Sequence, residues 1–175
     1  MLKTGFETNS VPKFFYNQIT DISPEDIKSM GARAVGIDLD NTSFYDNTCI
    51  PFPGLFEWLE AMKNADIPVI IISNTYNSRA KKISERLGNL PYIGNADKPD
   101  TACFFKAAEM LGISVEELAM IGDQLFTDIQ GANNAGAISI RVKYRRREIL
   151  FGIRFALVRR RERLYLENKG LGDKV

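Results

Sequence analysis

The sequence predicts an α/β fold: a doubly wound, mainly parallel sheet with helices on both faces. Segments of strand and helix character alternate from about residue 34 to 142, the strand segments are strongly apolar, and acidic or hydroxyl side chains follow them. Parallel strands that are covered on both faces need continuous apolar sequence, and binding sites in such sheets lie beyond the carboxyl ends of the strands. At 175 residues, the chain is long enough for one such domain.

Each element has a local signal. A first helix begins at Ser23-Pro24, where a capping residue and a proline precede two acids, and it ends at Gly31. Apolar spacing and terminal glycines predict further helices, and Ser114 begins a sequence that resembles a capping box. The further helices are expected at 55–62, 77–87, 101–111 and 127–135, and the strands at 34–37, 68–72, 90–93, 118–121 and 137–142.

Charge divides the chain into an acidic body and a basic tail. Residues 141–175 contain twelve Lys and Arg against four Asp and Glu, although the net charge of the whole chain is only +1. We therefore expect one domain in three parts: a lead-in with a short helix at 1–33, a catalytic core at 34–143 and a basic tail at 144–175.

The tail allows several interpretations. Arginines at 145–147, 154 and 159–161 flank a mainly apolar run at 149–158. Such a segment could lie on an anionic membrane surface, or it could form a helix packed on the sheet with a solvated basic end. Contact with nucleic acid is less favoured, because aromatic residues are sparse there.

Composition excludes several classes of chemistry. The chain has no histidine, which excludes histidine-based zinc sites, Ser-His-Asp hydrolysis and phosphohistidine chemistry. Cys49 and Cys103 lie far apart and suit a reducing compartment. Residues 1–10 lack the apolar stretch of a secretory signal, and the run at 149–158 is too short to span a bilayer. We expect a cytoplasmic protein that could associate peripherally with the inner face of the membrane.

Polar residues that can perform chemistry follow the predicted strands. Asp38 and Asp40 leave the first strand on the same side, Ser73-Asn74 follow the second, and Asp123 follows a later one. Carboxylates at this density repel one another unless a cation lies among them, and oxygen ligands without His or Cys favour Mg²⁺. The remaining members of the set are Thr42, Lys98 and Asp128.

These residues, in this order, resemble the four motifs of the haloacid-dehalogenase superfamily of phosphatases. The motifs are Asp38-x-Asp40-x-Thr42, Ser73, Lys98 and Gly122-Asp123-x4-Asp128. The resemblance implies that Asp38 is a nucleophile that becomes phosphorylated and that Asp40 is the general acid and base. It also implies an Mg²⁺ ion bound by Asp38, the backbone carbonyl of Asp40 and Asp123, with Asp128 either a further ligand or a support for the ligands. The phosphoryl group would be bound by Ser73 and Lys98 with help from Asn74 and Thr42.

Spacing bears on the substrate. Thirty residues separate Thr42 from Ser73 and twenty-four separate Ser73 from Lys98, so neither interval can hold a separate cap domain. A site without a cap cannot enclose a small metabolite, which favours a large or surface-presented phosphorylated substrate. Candidates are a phospholipid head group, a phosphoprotein, a nucleotide and a polynucleotide end.

Within the superfamily, the chain resembles the capless IIIA group that contains the YqeG-like and mitochondrial phosphatidylglycerophosphate phosphatases. The resemblance rests on the lead-in at 11–22, Asp40-Asn41-Thr42, Ser73-Asn74, Lys98-Pro99 and Gly122–Asp128. Ser43 departs from the leucine that is usual after the threonine, at a position we expect to serve packing. The group implies dephosphorylation of phosphatidylglycerophosphate to phosphatidylglycerol.

Two hypotheses from other functional classes remain. An acidic pocket with a lysine also resembles a response-regulator receiver, which accepts phosphate on an aspartate and only signals; Asp40, which could activate water, argues against it. A second possibility is a protein that binds RNA or the ribosome through its basic tail and carries an inactive site. The intact motifs argue against that possibility.

Overall fold

The computed structural model describes residues 9–143 and 152–172. In these ranges, six parallel strands form one sheet in the order β1-β6-β5-β2-β3-β4. The predicted parallel α/β fold is confirmed. The strands are β1 (Phe14–Tyr16), β2 (Ala34–Ile37), β3 (Val69–Ile72), β4 (Tyr92–Ile93), β5 (Leu118–Gly122) and β6 (Ile138–Val142).

The helices begin and end close to their predicted positions. They are α1 (Pro24–Ser29), α2 (Leu55–Asn64), α3 (Asn77–Arg86), α4 (Ala102–Leu111), α5 (Gln130–Ala135) and α6 (Gly152–Asn168). Ser23 and Asp26 form a reciprocal capping box at the start of α1, which satisfies backbone N–H groups that the first turn leaves free. Ser114 and Glu117 form the second capping box on a single 3₁₀ turn.

The core consists of two apolar layers, one on each face of the sheet. Alternate residues of a strand point to opposite faces, so Val35 and Ile37 pack in one layer and Ala34 packs in the other. The first layer contains Trp58 of α2, and the second contains Phe104 of α4. Because both faces are covered, the central strands are fully buried, which explains their continuous apolar sequence.

Three features differ from the sequence predictions. Residues 14–16 of the lead-in add an edge strand beside β6, which no sequence pattern predicts. The helix expected at 127–135 starts earlier, as a π-helical turn over Leu125–Ile129 that continues into α5. Phe56 has the spacing of a core residue, but its side chain is exposed.

The C-terminal region forms a helix that packs on the body of the protein. Tyr165 and Leu166 of α6 are buried against Leu125 and Ile129 of the π-helical turn, with Phe15 of β1 beside them. Among the residues described, no helix is both long enough and apolar enough to cross a membrane. Residues 1–8, and the predictions made for 145–147 and 149–151, lie outside the described residues.

Candidate active site

The strand order brings the predicted residues to one edge of the sheet. β2 lies between β5 and β3, so the residues that follow these three strands are neighbours although they are far apart in sequence. Asp38 follows β2, Ser73 follows β3, and Asp123 follows β5. All three are buried. This is the arrangement expected where parallel strands end beside one another.

Asp38, Lys98 and Asp128 form a buried group that we call the lysine cluster. The Lys98 ammonium lies 2.9 Å from Oδ1 of Asp38 and 2.7 Å from Oδ1 of Asp128, and it also donates to the carbonyl of Ile72 at 2.6 Å. The exposed fractions of the side chains are 1% for Lys98, 9% for Asp38 and 2% for Asp128. One lysine therefore balances two buried carboxylates, which leaves an excess negative charge.

Electrostatics in this cluster favour a cation. Burial raises the pKa of Asp38 to about 6; Lys98 opposes that rise, while the neighbouring Asp128 and Asp40 carboxylates add to it. For Lys98, burial alone would lower the pKa, but the carboxylates of Asp128 and Asp38 outweigh burial and the net pKa is raised. Lys98 therefore stays charged, and a second positive charge would stabilise the ionised form of Asp38.

Three carboxylates are arranged so that they could hold that charge. Asp38, Asp123 and Asp128 each offer one oxygen atom, and these atoms lie within 4.8 Å of one another. All three residues are buried, and oxygen is the donor that Mg²⁺ prefers. The donor set and its excess negative charge fit a magnesium ion, and the three residues that would hold it are among those predicted from the sequence.

Asp123 belongs to a second buried group, which we call the arginine cluster. The guanidinium of Arg159, from α6, bonds to Oδ2 of Asp123, to the Asp123 carbonyl at 3.1 Å and to Oε2 of Glu162 at 2.7 Å. Arg141 of β6 lies 3.9 Å from Oε2 of Glu162. Oε1 of Glu162 accepts the backbone N–H of Leu125 at 2.7 Å. The cluster thus fastens α6 to the end of β5.

Asp123 is fully buried, and its ionisation depends on these neighbours. Burial raises its pKa to about 7, Arg159 lowers it, and Asp128, Asp38 and Glu162 raise it. In Arg159, burial acts to lower the pKa, while Asp123 and Glu162 more than compensate and raise it. Arg159 therefore remains a cation beside a carboxyl group whose pKa lies near neutrality.

Asp40 is held outside the cluster of three carboxylates. Its two oxygens accept a bidentate pair of hydrogen bonds from Arg79 of α3, both at 2.7 Å, and Oδ1 also accepts the N–H of Asn47 at 2.8 Å. Arg79 donates as well to the carbonyl of Thr48 at 2.6 Å. The side chains of Arg79 and Asp40 are 18% and 26% exposed, so the pair lies at the rim of the site. Arg79 links Asp40 to the loop that follows it.

The predicted phosphate-binding residues follow β2, β3 and β4 along the chain, and Lys98 among them contacts Asp38. Ser73 is buried and accepts the N–H of Thr75 at 3.3 Å. The Asn74 amide bonds to the backbone of Lys98 twice, accepting its N–H at 2.8 Å and donating to its carbonyl at 2.9 Å, so Asn74 positions Lys98. Thr42 donates to Oδ1 of Asp123 at 3.4 Å. A phosphate contact by Ser73, Asn74, Lys98 or Thr42 stays a prediction.

Two local features explain how the acids reach the site. A Cβ atom at Gly122 would lie 2.4 Å from the side chain of Asp128, so only glycine lets Asp128 cross the end of β5. Asp128 lies in the π-helical turn, and its Oδ2 accepts the N–H of Gln124 at 3.0 Å. Ser43, at the position expected to serve packing, also donates to the carbonyl of Asp38 at 2.8 Å.

Sequence reasoning missed four charged residues near the site. Arg79 lies one turn into the helix after Ser73-Asn74, and that position was a usable signal. Arg159 and Glu162 form an i, i+3 pair inside a run of arginines, where the acid stands out. Arg141 lies at the end of a predicted strand.

Comparison with known proteins agrees with this geometry. Residues 13–136 match the family model of the haloacid dehalogenase-like hydrolases. The chain is 38% identical over 142 residues to the probable phosphatase YqeG of Bacillus subtilis, a match that covers 81% of this chain and 80% of that protein. It is 30% identical over 112 residues to the putative pyrophosphatase PpaX of Clostridium perfringens, covering 59% of this chain and 52% of that one.

A solved structure supports the fold. The 3-deoxy-D-manno-octulosonate 8-phosphate phosphatase of Moraxella catarrhalis, solved with magnesium, phosphate and its sugar, superposes with a TM-score of 0.52 at 19% identity. The superposition covers 85% of this chain and 95% of that one. The resemblance seen in the motifs is confirmed by the family match, by the YqeG relative and by the topology. The chain belongs to the haloacid dehalogenase-like hydrolases, and it is an enzyme of the phosphatase type within that family.

Proposed function

We propose that this enzyme is a Mg²⁺-dependent phosphomonoesterase that works through an aspartyl phosphate on Asp38, and that its substrate is phosphatidylglycerophosphate. One observation carries the mechanism: Asp38 contacts the Lys98 ammonium at 2.9 Å and shares a 4.8 Å cluster of oxygen atoms with Asp123 and Asp128. The M. catarrhalis phosphatase with bound magnesium has the same fold, which supports the choice of metal.

In the first step, a carboxylate oxygen of Asp38 attacks phosphorus and the bond from phosphorus to the leaving oxygen breaks. Asp40, in its protonated form, turns from Arg79 towards the site and gives its proton to that oxygen. Lys98 and the hydroxyl of Ser73 bind the phosphoryl oxygens, where negative charge accumulates. Bound Mg²⁺ would supply charge neutralisation between the phosphate and the carboxylates of Asp38, Asp123 and Asp128.

In the second step, water attacks phosphorus and the bond between phosphorus and the Asp38 oxygen breaks. Asp40 takes a proton from the attacking water, which restores it for the next cycle. Because Asp38 ends the cycle as a free carboxylate, the net reaction is hydrolysis of a phosphomonoester to an alcohol and phosphate. The second carboxylate distinguishes this scheme from a receiver that only stores phosphate.

The surroundings of the site support a substrate presented at a surface. The chain between β2 and β3 is occupied by a loop and α2, and that between β3 and β4 by α3. We propose on this basis that the enzyme works without a cap. The outer face of α6 exposes Leu157 and Leu164 together with Arg160, Arg161 and Arg163. Apolar and basic side chains on one exposed face suit an anionic lipid surface, with each basic residue adding about 1 kcal/mol. We propose peripheral contact with the cytoplasmic leaflet through this face.

The test is phosphate release from phosphatidylglycerophosphate in mixed micelles, with Mg²⁺ or EDTA. It compares wild type with Asp38→Asn and with Asp66→Asn, a matched control at an exposed aspartate before β3. We expect Mg²⁺-dependent turnover in wild type and the control, and a loss of about 10⁴-fold or more in Asp38→Asn. Hydrolysis of an aryl phosphate without turnover of the lipid would overturn the proposed substrate but keep the proposed mechanism. If neither compound is hydrolysed, both the substrate and the mechanism are overturned.

The membrane contact is tested separately. Replacing both Arg160 and Arg163 with alanine should raise the KM for the lipid in anionic micelles and leave aryl phosphate hydrolysis unchanged. The exposed Lys81 and Lys82 of α3 provide a charge-matched double control. If the KM for the lipid were the same in the Arg160/Arg163 double variant as in the Lys81/Lys82 double variant, the proposed membrane contact would be contradicted.

A further inference from the structure

The most informative feature outside the predicted motifs is the contact between Arg159 of α6 and the end of β5. Its guanidinium bonds to Oδ2 and to the carbonyl of Asp123, and to Oε2 of Glu162. We propose that Arg159 is a positioning residue that orients Asp123 for metal binding, which makes the C-terminal helix part of the active site. The inference rests on the proposed function in one respect, the role of Asp123 as a metal ligand.

The guanidinium is held from both sides. Glu162 lies one turn further along α6. One of its carboxylate oxygens accepts a hydrogen bond from Arg159, and the other accepts one from the backbone N–H of Leu125. Its side chain is only 1% exposed. Arg159 is therefore fixed against the chain segment that leads from Asp123 to Asp128.

Apolar packing fixes the helix that carries Arg159. Tyr165 and Leu166 are buried against Leu125 and Ile129, and the rings of Tyr165 and Phe126 meet edge to face at 5.7 Å. The hydroxyl of Tyr165 accepts the N–H of Ser10 at 3.3 Å. Because these contacts determine where α6 lies, Arg159 approaches Asp123 from a defined direction.

Both oxygens of Asp123 have a donor in the protein. Oδ2 accepts from Arg159, and Oδ1 accepts from Thr42 at 3.4 Å. Two donors on opposite oxygens determine the rotation of the carboxylate about its bond to Cβ. Outer partners of this kind orient metal ligands, and losing one weakens metal affinity by about 10–100-fold.

A purely electrostatic role for Arg159 would have the opposite consequence. A cation beside Asp123 repels Mg²⁺, so removing that charge would strengthen metal binding if orientation were unimportant. Removing a positioning residue should instead weaken binding. The sign of the change therefore separates the two roles.

The experiment follows thermal unfolding of the full chain during a titration with MgCl₂. The dependence of Tm on metal concentration gives a Kd that needs no turnover and that remains measurable in a destabilised variant. We compare wild type, Arg159→Ala, Arg159→Lys and, as a control at an exposed basic side chain of α4, Lys106→Ala.

We expect Kd for Mg²⁺ to rise about 10–100-fold in Arg159→Ala, to recover in part in Arg159→Lys and to stay unchanged in Lys106→Ala. With an aryl phosphate, the Mg²⁺ concentration for half-maximal rate should rise by the same factor, while kcat at saturating Mg²⁺ changes little.

Equal or tighter Mg²⁺ binding by Arg159→Ala would overturn the inference. If Arg159→Ala does not fold, the same criterion applies to Arg159→Lys, which keeps the charge but lacks the forked donor pair. Wild type that shows no Mg²⁺-dependent rise in Tm would instead overturn the proposed metal site itself, so the two failures are distinguishable.

Discussion

The lysine cluster and the arginine cluster bury charge at the same edge of the sheet, but they are assembled differently. Asp38, Lys98 and Asp128 all lie between β2 and α5, where the motifs are. Asp123 finds its cation, Arg159, in α6, outside the segment that the motifs span, and Glu162 of the same helix bonds to that arginine. The difference suggests that the motif segment carries the chemistry, while the C-terminal helix holds one of its acids in place.

The largest effect is expected at the cation of the lysine cluster. Lys98→Met removes the only described ammonium between Asp38 and Asp128 and should lower the free energy of unfolding in EDTA by about 3–5 kcal/mol. The same change should reduce kcat by about 10²–10³-fold, because a donor to the phosphoryl group is lost. Urea unfolding and steady-state kinetics measure the two effects. Lys106→Met, at an exposed site of α4, should show neither effect, and a small loss in Lys98→Met would contradict the assignment.

The pH dependence of stability is expected to be smaller and to test Asp123. Burial raises the pKa of Asp123 to about 7, above the ordinary value near 4. Between these two pH values, Asp123 is protonated in the folded protein and ionised in the unfolded chain. This contribution to stability is complete below pH ~4 and is lost as the pH rises through about 7. In EDTA, between about pH 5 and pH 8, the free energy of unfolding of wild type should therefore fall by about 3 kcal/mol relative to Asp123→Asn.

Urea unfolding at both pH values measures that difference. Mg²⁺ should remove it, since the metal binds the ionised carboxylates. A difference that rises with pH would mean that Arg159 outweighs burial and that Asp123 is ionised in the metal-free protein.

A smaller effect is expected at the acid of the arginine cluster. Glu162→Gln keeps an oxygen for the N–H of Leu125 but loses the charge that faces Arg159 and Arg141. We expect the free energy of unfolding to fall by about 1–3 kcal/mol, with less loss of kcat than in Lys98→Met. Glu167→Gln, exposed on the same helix, is the control. Equal losses of kcat in Glu162→Gln and Lys98→Met would remove the distinction between the clusters.

The smallest effect is expected where α6 meets the lead-in. Tyr165→Phe keeps the ring that packs against Phe126 but removes the hydroxyl that accepts from Ser10. The free energy of unfolding should fall by about 1 kcal/mol, and kcat should not change. Thermal unfolding measures the first and a steady-state assay the second. A marked fall in kcat would show that the whole helix, rather than Arg159, controls the site.

The fold and the motif residues could be predicted because both follow from local rules. Strand 68–72 was identified by its apolar run, and α1 by the Ser23-Pro24 cap. Once the strands are parallel, the residues after them must meet at one edge, so the proximity of Asp38 to Asp123 and Asp128 followed from topology.

The parts that were missed depend on contacts between distant segments. β1 has three residues, and its pairing with β6 joins segments more than a hundred residues apart. The arginines of α6 do not segregate on a helical wheel, so nothing in their spacing indicated that the Arg159 side chain is only 15% exposed while Arg160 is exposed. Arg79 was missed for the same reason, since its partner Asp40 lies 39 positions away.

The most direct test of the central claim is to trap the phosphorylated enzyme. Wild type, Asp38→Asn and the control Asp66→Asn are mixed with radiolabelled phosphate ester and Mg²⁺, quenched in acid and mapped by peptide. We predict a label on the peptide that contains Asp38, labile to hydroxylamine as an acyl phosphate is, present in wild type and the control and absent from Asp38→Asn. Turnover without label, or label that persists in Asp38→Asn, would contradict the account.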